Sequence, residues 1–440
     1  MKKILIIAGC FSYFLFLGCR QKPNTEALNK LFENPLPDWN NKLTQVIISD
    51  IFTPPVCSRI YAYTNIAAYE ALRPAYKNYP SYAGKLNGLQ PLPLPVQGKE
   101  YAYPAASVIA FCTVAQKMVF DGNAIKEMEK EYVKQLQSLH INEALLDSSV
   151  SYGRAVGNHI IEWAVADGYL QRNSQPAYTV TKEPGRWQPT PPNYTDAIET
   201  NWKTLRPLAL SSCSQFKPFA PPQYDSTKNS AFYNEAYEVF NQIKNPQVSD
   251  SATAWYWDDN PNTSVTNGHI TYFQQKNSPG GHWIHIACSV AQKEKYDAMQ
   301  TVSLVSKTAI ALYDAFISCW DAKFTYNYVR PETFINQYID KDWVPLIQTP
   351  PFPEYPSGHS VASSSAATVL TQMVGEKYFF IDSAEVPHGR PARSFNSFYE
   401  AADQAAISRF YGGIHFMTAI KNGKEEGRKV GNYLMEKLKY

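Results

Sequence analysis

Helical periodicity is the feature that most limits what this chain can fold into. From about residue 40, apolar residues recur at three- and four-residue spacing, and few stretches alternate as strands do. The clearest stripe, within 298–320, joins Val305, Leu312 and Phe316. Helices are predicted at about 54–72, 104–120, 123–139, 142–168, 229–245, 290–320, 359–375, 398–411 and 414–437. The sequence therefore predicts an all-α protein of two packed helical bundles.

The periodicity stops between residues 170 and 225. Nine prolines fall in this segment, together with Trp187 and Trp202. A segment of this length predicts an ordered loop that wraps over the core. We accordingly predict an N-terminal helical region at 37–225, which includes this loop, and a C-terminal helical catalytic region at 226–440.

The N-terminus is typical of an exported protein. Lys2 and Lys3 precede an apolar stretch over residues 4–18, which suits a secretory signal and is too short to span a bilayer with normal flanks. Cys19 follows a small residue at the end of this stretch, as at a lipoprotein processing site. We predict a lipoprotein signal peptide at 1–19, a tether at 20–36, and a lipid anchor at Cys19 in the bacterial cell envelope, on its periplasmic or outer face. Processing at Cys10, or cleavage without lipidation, is the alternative.

Charge and cysteine content exclude several classes of protein. The net charge of +2 gives no indication of nucleic-acid binding. After Cys19 the chain has no CxxC pair, so a structural zinc site is not expected. The odd number of remaining cysteines leaves at least one thiol unpaired; they are Cys57, Cys112, Cys213, Cys288 and Cys319.

Three short segments in the C-terminal half carry groups suited to chemistry. They begin at Lys323, Pro356 and Ser408, and their sequences are Lys323-x6-Arg330-Pro331, Pro356-Ser357-Gly358-His359 and Ser408-Arg409-x5-His415. Taken singly, each has an ordinary explanation: a helix stop, a turn with a helix cap, and a helix surface. Their occurrence together within a hundred residues predicts a shared site.

Together these groups suit a tetrahedral oxyanion. Lys323, Arg330 and Arg409 supply positive charge, and the planar guanidinium groups match the geometry of such an ion. Ser357 offers a hydroxyl, while Gly358 lets a backbone N–H approach closely at a predicted helix start. The histidines, His359 and His415, suit one acid/base and one nucleophile or ligand.

These motifs resemble the signature of the superfamily of type 2 phosphatidic acid phosphatases and vanadium haloperoxidases. The resemblance implies that Lys323, both arginines, Ser357 and the N–H of Gly358 hold phosphate or vanadate. It implies that His415 attacks phosphorus or coordinates vanadium, and that His359 is the acid/base. The resemblance covers most of residues 40–437, although only the three motifs are highly specific.

Further residues resemble the haloperoxidase branch. The run Phe352–His359 is similar to that of vanadium chloroperoxidases, and Trp320 matches a tryptophan of that branch; both are expected to line the pocket. The run Trp255–Asp259 resembles an aromatic run ending in an aspartate that pairs with an active-site arginine, so Asp259 is expected to pair with Arg409. One departure is Ala419, where the superfamily often has an aspartate that orients the histidine corresponding to His415. Either another group orients His415 or the site is weaker as a nucleophile.

Three functions stay open at this stage. The first is a vanadate-dependent haloperoxidase that oxidises halide with hydrogen peroxide. The second is an acid phosphatase that hydrolyses a phosphate ester through a phosphohistidine at His415 and needs no cofactor. The third is a non-catalytic oxyanion-binding lipoprotein. A separate metal site at His282 and His285, with Asp258 or Asp259, is a lesser alternative to a loop or core role for these histidines.

Overall fold

The computed structural model describes residues 34–139 and 141–439. The predicted signal peptide, Cys19 and almost all of the predicted tether lie outside these residues. The described part is built from α-helices, which confirms the predicted all-α class. In chain order they are α1 Leu36–Ser49, α2 Pro54–Leu72, α3 Tyr103–Met118, α4 Gly122–Ser138, α5 Glu143–Val165, α6 Ala231–Lys244, α7 Val248–Tyr256, α8 Pro279–Lys293, α9 Ala298–Tyr326, α10 Pro331–Tyr338, α11 Gly358–Val374, α12 Phe398–Tyr411 and α13 Met417–Lys437.

Strands contribute only two small antiparallel hairpins within the described residues. In the first, β1 Ser264–Asn267 pairs with β2 Ile270–Phe273. In the second, β3 Phe380–Asp382 pairs with β4 Arg393–Phe395. Neither hairpin forms part of a larger sheet, so the architecture depends on helix packing.

The predicted helix at 290–320 is wrong in its boundaries. The chain leaves the helical conformation at Lys295, whose φ of 54° is left-handed, so two helices form here. Asp297 then begins α9 with a capping box, because its side chain accepts from the Gln300 N–H and the Gln300 side chain accepts from the Asp297 N–H. Helix α9 runs on to Tyr326, which places Lys323 in its last turn and not after it.

Helices α2 and α9 form the centre of the core. All residues of α2 are buried, and α9 is buried from Ala298 to Lys323 except at Gln300. One continuous hydrophobic core joins residues from Leu36 to Leu438. Among the described residues, α9 is the helix long and apolar enough to cross a membrane, yet its apolar stretch is fully buried inside the protein. Its hydrophobicity therefore belongs to the core.

The proline-rich segment wraps over this core as an ordered loop. Its three consecutive N–H groups at 208–210 donate to the buried carboxylate of Asp314, at 2.7, 2.7 and 2.9 Å. Trp187 and Trp202 are fully buried. These contacts hold the loop on α9, as the sequence predicted for a segment of this length.

Close packing of α13 against α11 sets the position of the α11 N-terminus. Gly427 faces the carbonyl of Val361, and a Cβ atom there would overlap that oxygen. At Gly423 a Cβ atom would lie 3.0 Å from the carbonyl oxygen of Ser357. The glycines therefore allow the two helices to approach at the end of α11 that carries the Pro-Ser-Gly-His motif.

The five described cysteines are all unpaired, which confirms the prediction of a free thiol. Four are buried and Cys213 is partly exposed. Burial raises the pKa of Cys57, Cys288 and Cys319 to about 12, so these thiols stay neutral. They act as small apolar side chains.

Candidate active site

The second and third predicted motifs line one cleft, and Arg330 of the first motif lies behind it against His415. The cleft lies between the N-terminus of α11, the C-terminal part of α9 and the segment that joins α12 to α13. Most of the predicted site residues line it, together with apolar side chains. The lining residues are Pro54, Asp259, Asn260, Pro279, Phe316, Trp320, Pro350, Phe352, Gly358, His359, Arg409, Ile414 and His415. The predicted pocket residues Trp320 and Phe352 are thus on its wall, with ring centroids 5.0 Å apart.

His415 is oriented by Glu354, a residue that the sequence analysis did not single out. The Glu354 Oε1 atom lies 2.8 Å from Nδ1 of His415 and accepts a hydrogen bond from the Phe416 N–H at 2.9 Å. Burial raises the pKa of Glu354 to about 8, but Oε1 already accepts from the Phe416 N–H and is an acceptor in either protonation state. Nδ1 of His415 therefore carries the proton, and Nε2 keeps its lone pair. Glu354 therefore supplies the orienting group that Ala419 cannot, which settles one alternative left open by the sequence.

The surroundings keep His415 neutral. The ring is buried, and burial together with the positive charges of Arg330 and Lys323 lowers its pKa well below the ordinary value. A neutral ring nitrogen is the form that coordinates a metal or attacks phosphorus. The electrostatics thus match either chemistry expected from the motif.

Arg330 fixes the segments around His415. Its guanidinium donates to the carbonyl oxygens of Phe352 at 2.9 Å and Ile414 at 2.8 Å, and its Nη1 lies 3.2 Å from Nε2 of His415. The side chain is fully buried, which lowers its pKa, but a guanidinium stays protonated in proteins. Arg330 therefore places a permanent positive charge beside the unprotonated Nε2 of His415, which accepts a hydrogen bond from its Nη1.

Arg409 has a different carboxylate neighbour from the one predicted. Its Nη1 donates to the Trp257 carbonyl at 2.7 Å, and its Nη2 lies 4.0 Å from Oδ1 of Asp258. Asp259 lines the cleft but binds His282, with its Oδ2 3.0 Å from Nδ1. The predicted pairing of Asp259 with Arg409 is therefore corrected to Asp258. Consecutive side chains in the turn after α7 point to different sides, and the sequence pattern alone does not distinguish them.

Lys323 holds the backbone behind the cleft. Its Nζ donates to the carbonyl oxygens of Pro353 at 2.9 Å, Glu354 at 3.0 Å and Pro356 at 2.6 Å. These three bonds use all the donors of an ammonium group, and the side chain does not line the cleft. Burial lowers the pKa of Lys323 to about 7. In this arrangement Lys323 shapes the turn that presents Glu354, and its role in holding an oxyanion stays a prediction.

The Pro-Ser-Gly-His motif forms the start of α11. Ser357 is the N-cap, with its Oγ 3.4 Å from the Ser360 N–H, and Gly358 is the first helical residue. A Cβ atom on Gly358 would lie 3.8 Å from the Trp320 ring, in ordinary van der Waals contact with the cleft wall. The helix N-terminus thus directs N–H groups and a positive partial charge toward the cleft.

His359 presents a free nitrogen to the cleft. Its Nε2 is buried and has no hydrogen-bond partner among the described residues. Burial, followed by the positive charges of Arg409 and His282, lowers the pKa of His359 well below the ordinary value. The neutral ring is able to take up a proton from a group that reacts in the cleft.

The cleft fits a tetrahedral oxyanion. Unpartnered buried groups face it from two sides: Nε2 of His359 and Nε of Arg409. The charges of Arg330 and Arg409, the α11 N-terminus and the neutral Nε2 of His415 surround the same space. A negative ion with several oxygens would supply acceptors for these donors and compensate the buried charge.

Sequence reasoning missed three residues of this region. Glu354 was part of a quoted run but received no role, since nothing in its local sequence distinguishes it from a surface glutamate. Asp258 and His282 were considered only within the metal alternative, against a loop or core role for the histidine. The signal that could have found Glu354 is its place five residues before His359, in a chain that lacks an acidic residue at 419.

Comparisons with known proteins agree with this geometry. Residues 303–342 and 336–440 match the family model of the VCPO second helical-bundle domain. Two crystal structures of bacterial vanadium-dependent chloroperoxidase, one holo-type and one apo-type, are each 15% identical with TM-scores of 0.66. They cover 88% and 95% of this chain, and this chain covers 93% and 98% of theirs. At this identity they support the fold. A search of curated proteins found no match.

A third structure is much more similar. The chain is 42% identical to the protein in the crystal structure of the first bacterial vanadium-dependent iodoperoxidase, with a TM-score of 0.86. The match covers 94% of this chain and 96% of that one. Identity at this level over nearly the whole of both chains, together with the geometry of the cleft, shows that the chain belongs to the vanadium-dependent haloperoxidases.

Proposed function

We propose that this chain is an enzyme that oxidises halide with hydrogen peroxide and takes vanadate as its cofactor. One observation carries the proposal: the unprotonated Nε2 of a neutral His415, held by Glu354 on its other nitrogen and contacted by Arg330, lies on a cleft that Arg409 and a helix N-terminus also line. Vanadate is an oxyanion that needs one such nitrogen ligand and several donors to its oxygens. The 42% identity to a vanadium-dependent iodoperoxidase supports this assignment.

In this proposal, His415 is the vanadium ligand and Glu354 acts through it. Glu354 fixes the ring plane and keeps the proton on Nδ1, so that Nε2 remains the donor atom. Arg330 and Arg409 hold the oxygens of the anion and balance its charge. The N–H groups at Gly358 and the hydroxyl of Ser357 complete the set of donors at the start of α11.

His359 is the acid/base group of the proposed reaction. Bound vanadate supplies a Lewis-acidic centre that activates hydrogen peroxide toward a halide. His359 lies in the same cleft with a neutral Nε2, so it is able to accept a proton from peroxide and return it later. Trp320 and Phe352 provide an apolar wall of the same cleft.

The halide best supported is iodide. The 42%-identical relative is described as an iodoperoxidase, while the chloroperoxidases are only 15% identical. Iodide is also the most easily oxidised of the three halides. We therefore expect iodide oxidation at low peroxide concentration and weaker activity with bromide and chloride.

The test uses the exported part of the chain, residues 20–440 with Cys19 removed, purified free of metals. One portion is loaded with orthovanadate and assayed for peroxide-dependent oxidation of iodide, bromide and chloride, and a second portion is assayed without vanadate. His415→Ala is the loss-of-ligand variant, and His285→Ala, on α8 beside Ser383, is the matched control. Vanadate-dependent activity that disappears only in His415→Ala supports the proposal. Equal activity with and without vanadate would refute it.

Phosphate-ester hydrolysis is a second candidate activity of the same cleft. The specific observation in its favour is Glu354, since an oriented and neutral His415 also suits a nucleophile that forms a phosphohistidine. Hydrolysis of a chromogenic phosphate ester is measured on the vanadate-free portion. Turnover that vanadate inhibits, without any halide oxidation, would favour the phosphatase.

We also propose that the chain is an exported lipoprotein anchored at Cys19. The support is the run from Lys2 to Cys19, which has the charge, apolar length and terminal cysteine of such a signal. Palmitate labelling of the full chain in a bacterial host tests this, with Cys19→Ser and Cys10→Ser compared. Loss of label in Cys19→Ser alone supports the proposal, and retained label in that variant contradicts it.

A further inference from the structure

His282 lies at the centre of a buried cluster that has no part in the roles assigned above. Its Nδ1 is 3.0 Å from Oδ2 of Asp259, and its Nε2 is 2.7 Å from Oδ2 of Asp382. Trp257 stacks on the imidazole ring at 4.4 Å between centroids, with 17° between the planes. The ring is therefore fixed both in its plane and in its rotation.

A second carboxylate faces the same edge of this ring. Oε1 of Glu385 is 3.9 Å from Nδ1 of His282. One ligand atom from each of Asp259, His282 and Glu385 lies within 4.8 Å of the other two, and all three residues are buried. A tetrahedral ion holds its ligand atoms at 2.0–2.1 Å, which places any two of them about 3.3 Å apart. The distances from Nδ1 of His282 to Asp259, 3.0 Å, and to Glu385, 3.9 Å, lie on either side of this value.

The far side of the ring has the outer partner that metal-binding histidines usually have. Asp382 accepts from Nε2 of His282 and is itself held by the Ala384 N–H at 3.0 Å. Because Asp259 lies on the other nitrogen, the two carboxylates raise the pKa of His282 well above its ordinary value against the opposing effect of burial, and the ring is cationic without a metal. A metal would take the place of the Nδ1 proton, while Asp382 keeps the Nε2 proton and holds the ring. Nδ1 is thus the atom presented toward Asp259 and Glu385.

An independent observation points to a missing cation. Oε1 of Glu385 is buried and has no hydrogen-bond partner among the described residues. The two positive charges nearby already have other carboxylate partners: His282 lies between Asp259 and Asp382, and Lys276 binds Asp258 at 2.6 Å. A buried carboxylate oxygen without a partner is costly, and a cation between it and Nδ1 would satisfy it.

We propose that Asp259, His282 and Glu385 bind one divalent transition-metal cation of the Zn²⁺ type, at a site separate from the oxyanion cleft. One imidazole and two carboxylates suit such an ion better than Ca²⁺ or Mg²⁺, which prefer oxygen ligands only. Binding releases the proton shared between Nδ1 and Asp259, while the Nε2 proton stays on the bond to Asp382. The ion would tie the loop between β3 and β4, which carries Glu385, to the aspartate on the cleft wall. This inference does not rest on the halide-oxidising activity.

The experiment uses residues 20–440 as a folded, vanadate-free protein. The protein is first treated with a chelator, which is then removed. Zn²⁺ binding is measured by calorimetry, and Co²⁺ binding by its visible absorption, which reports ligand geometry. Glu385→Gln is the main variant because Glu385 lies at the edge of the cluster and keeps its shape as glutamine. His282→Gln is the second variant, and His285→Gln and His415→Ala are matched controls.

We expect one Zn²⁺ per chain in the wild type and both controls, and at least about a tenfold loss of affinity in Glu385→Gln and His282→Gln. Zn²⁺ should also raise the Tm of the wild type and leave that of Glu385→Gln unchanged. If the wild type binds no Zn²⁺, or if Glu385→Gln binds it undiminished, the proposal is overturned. Loss of binding in His285→Gln would also overturn it, because it would assign the ion to the two histidines of α8.

Discussion

The bond between Glu354 and His415 offers the sharpest test of how the site works. Glu354 is fully buried and makes two hydrogen bonds, to His415 at 2.8 Å and to the Phe416 N–H at 2.9 Å. Glutamine at this position keeps the shape and one acceptor oxygen but loses the charge. Alanine removes both bonds and leaves the Nδ1–H without its acceptor.

The expected magnitude follows from these contacts. A buried donor that loses its acceptor costs about 1–3 kcal/mol, and tenfold in affinity corresponds to about 1.4 kcal/mol. We therefore expect vanadate affinity to fall about tenfold in Glu354→Gln and up to about a hundredfold in Glu354→Ala, the range known for partners of metal-ligating histidines. His415 itself remains present in both variants.

The assay titrates vanadate into the vanadate-free enzyme and follows recovery of iodide oxidation, with direct binding measured by calorimetry. Glu332→Gln is the matched control, because Glu332 is also buried and accepts a hydrogen bond, from Thr349, without contacting His415. Unfolding curves establish that each variant is folded. An affinity in Glu354→Gln and Glu354→Ala within twofold of the wild type would refute the positioning role of this carboxylate.

Three further predictions concern stability. Burial raises the pKa of Glu426 to about 8, so the folded state loses stability as the pH rises from about 4.5 through 8. In Glu426→Gln the fall in unfolding free energy over this window should be smaller by about 1.4 kcal/mol per pH unit. Urea unfolding at several pH values measures this slope, and an unchanged slope would contradict the prediction. Gly427→Ala should destabilise the protein by about 1–3 kcal/mol because its Cβ overlaps the Val361 carbonyl. Gly280→Ala is the control, since its Cβ would meet nothing closer than 3.7 Å and should leave stability unchanged. Equal Tm values for the two variants would count against the packing argument. Asp314→Ala should lower the free energy of unfolding by at least about 3 kcal/mol, since three N–H groups at 208–210 lose their acceptor. Limited proteolysis should then cut the 170–225 loop faster than in an Asp196→Ala control. Equal resistance in the two variants would contradict the role of Asp314 as an anchor of this loop.

Much of the fold was predictable because it depends on local periodicity. The stripe that includes Val305 and Leu312 predicted a core helix, and Pro54-Pro55 marked the start of α2 at the observed residue. The break at Lys295 was not predictable in this way. It depends on a left-handed residue that has no glycine or proline to mark it, followed by a cap that any aspartate can provide.

The candidate site was likewise predictable from the sequence only in part. His359, Arg409 and His415 meet in the cleft as the motifs predicted, because each motif lies at a helix end whose direction is set locally. The partners of these residues come from distant parts of the chain. Whether Asp258 or Asp259 faces Arg409 depends on rotations within a turn, and the three carbonyl contacts of Lys323 depend on packing that spacing does not specify.

The position of Glu354 has a consequence for how such sites diverge. The imidazole of His415 has a single Nδ1 proton, so it has use for one carboxylate acceptor. Here that acceptor arrives from the turn before α11, while a residue at 419 would approach from α13 itself. An Ala419→Asp substitution in this chain would bury a second carboxylate beside the first, and the two would repel each other. We therefore expect an acidic residue at either position 354 or position 419, and not at both. An enzyme redesigned at one of these positions should recover its activity only when the other is changed to match.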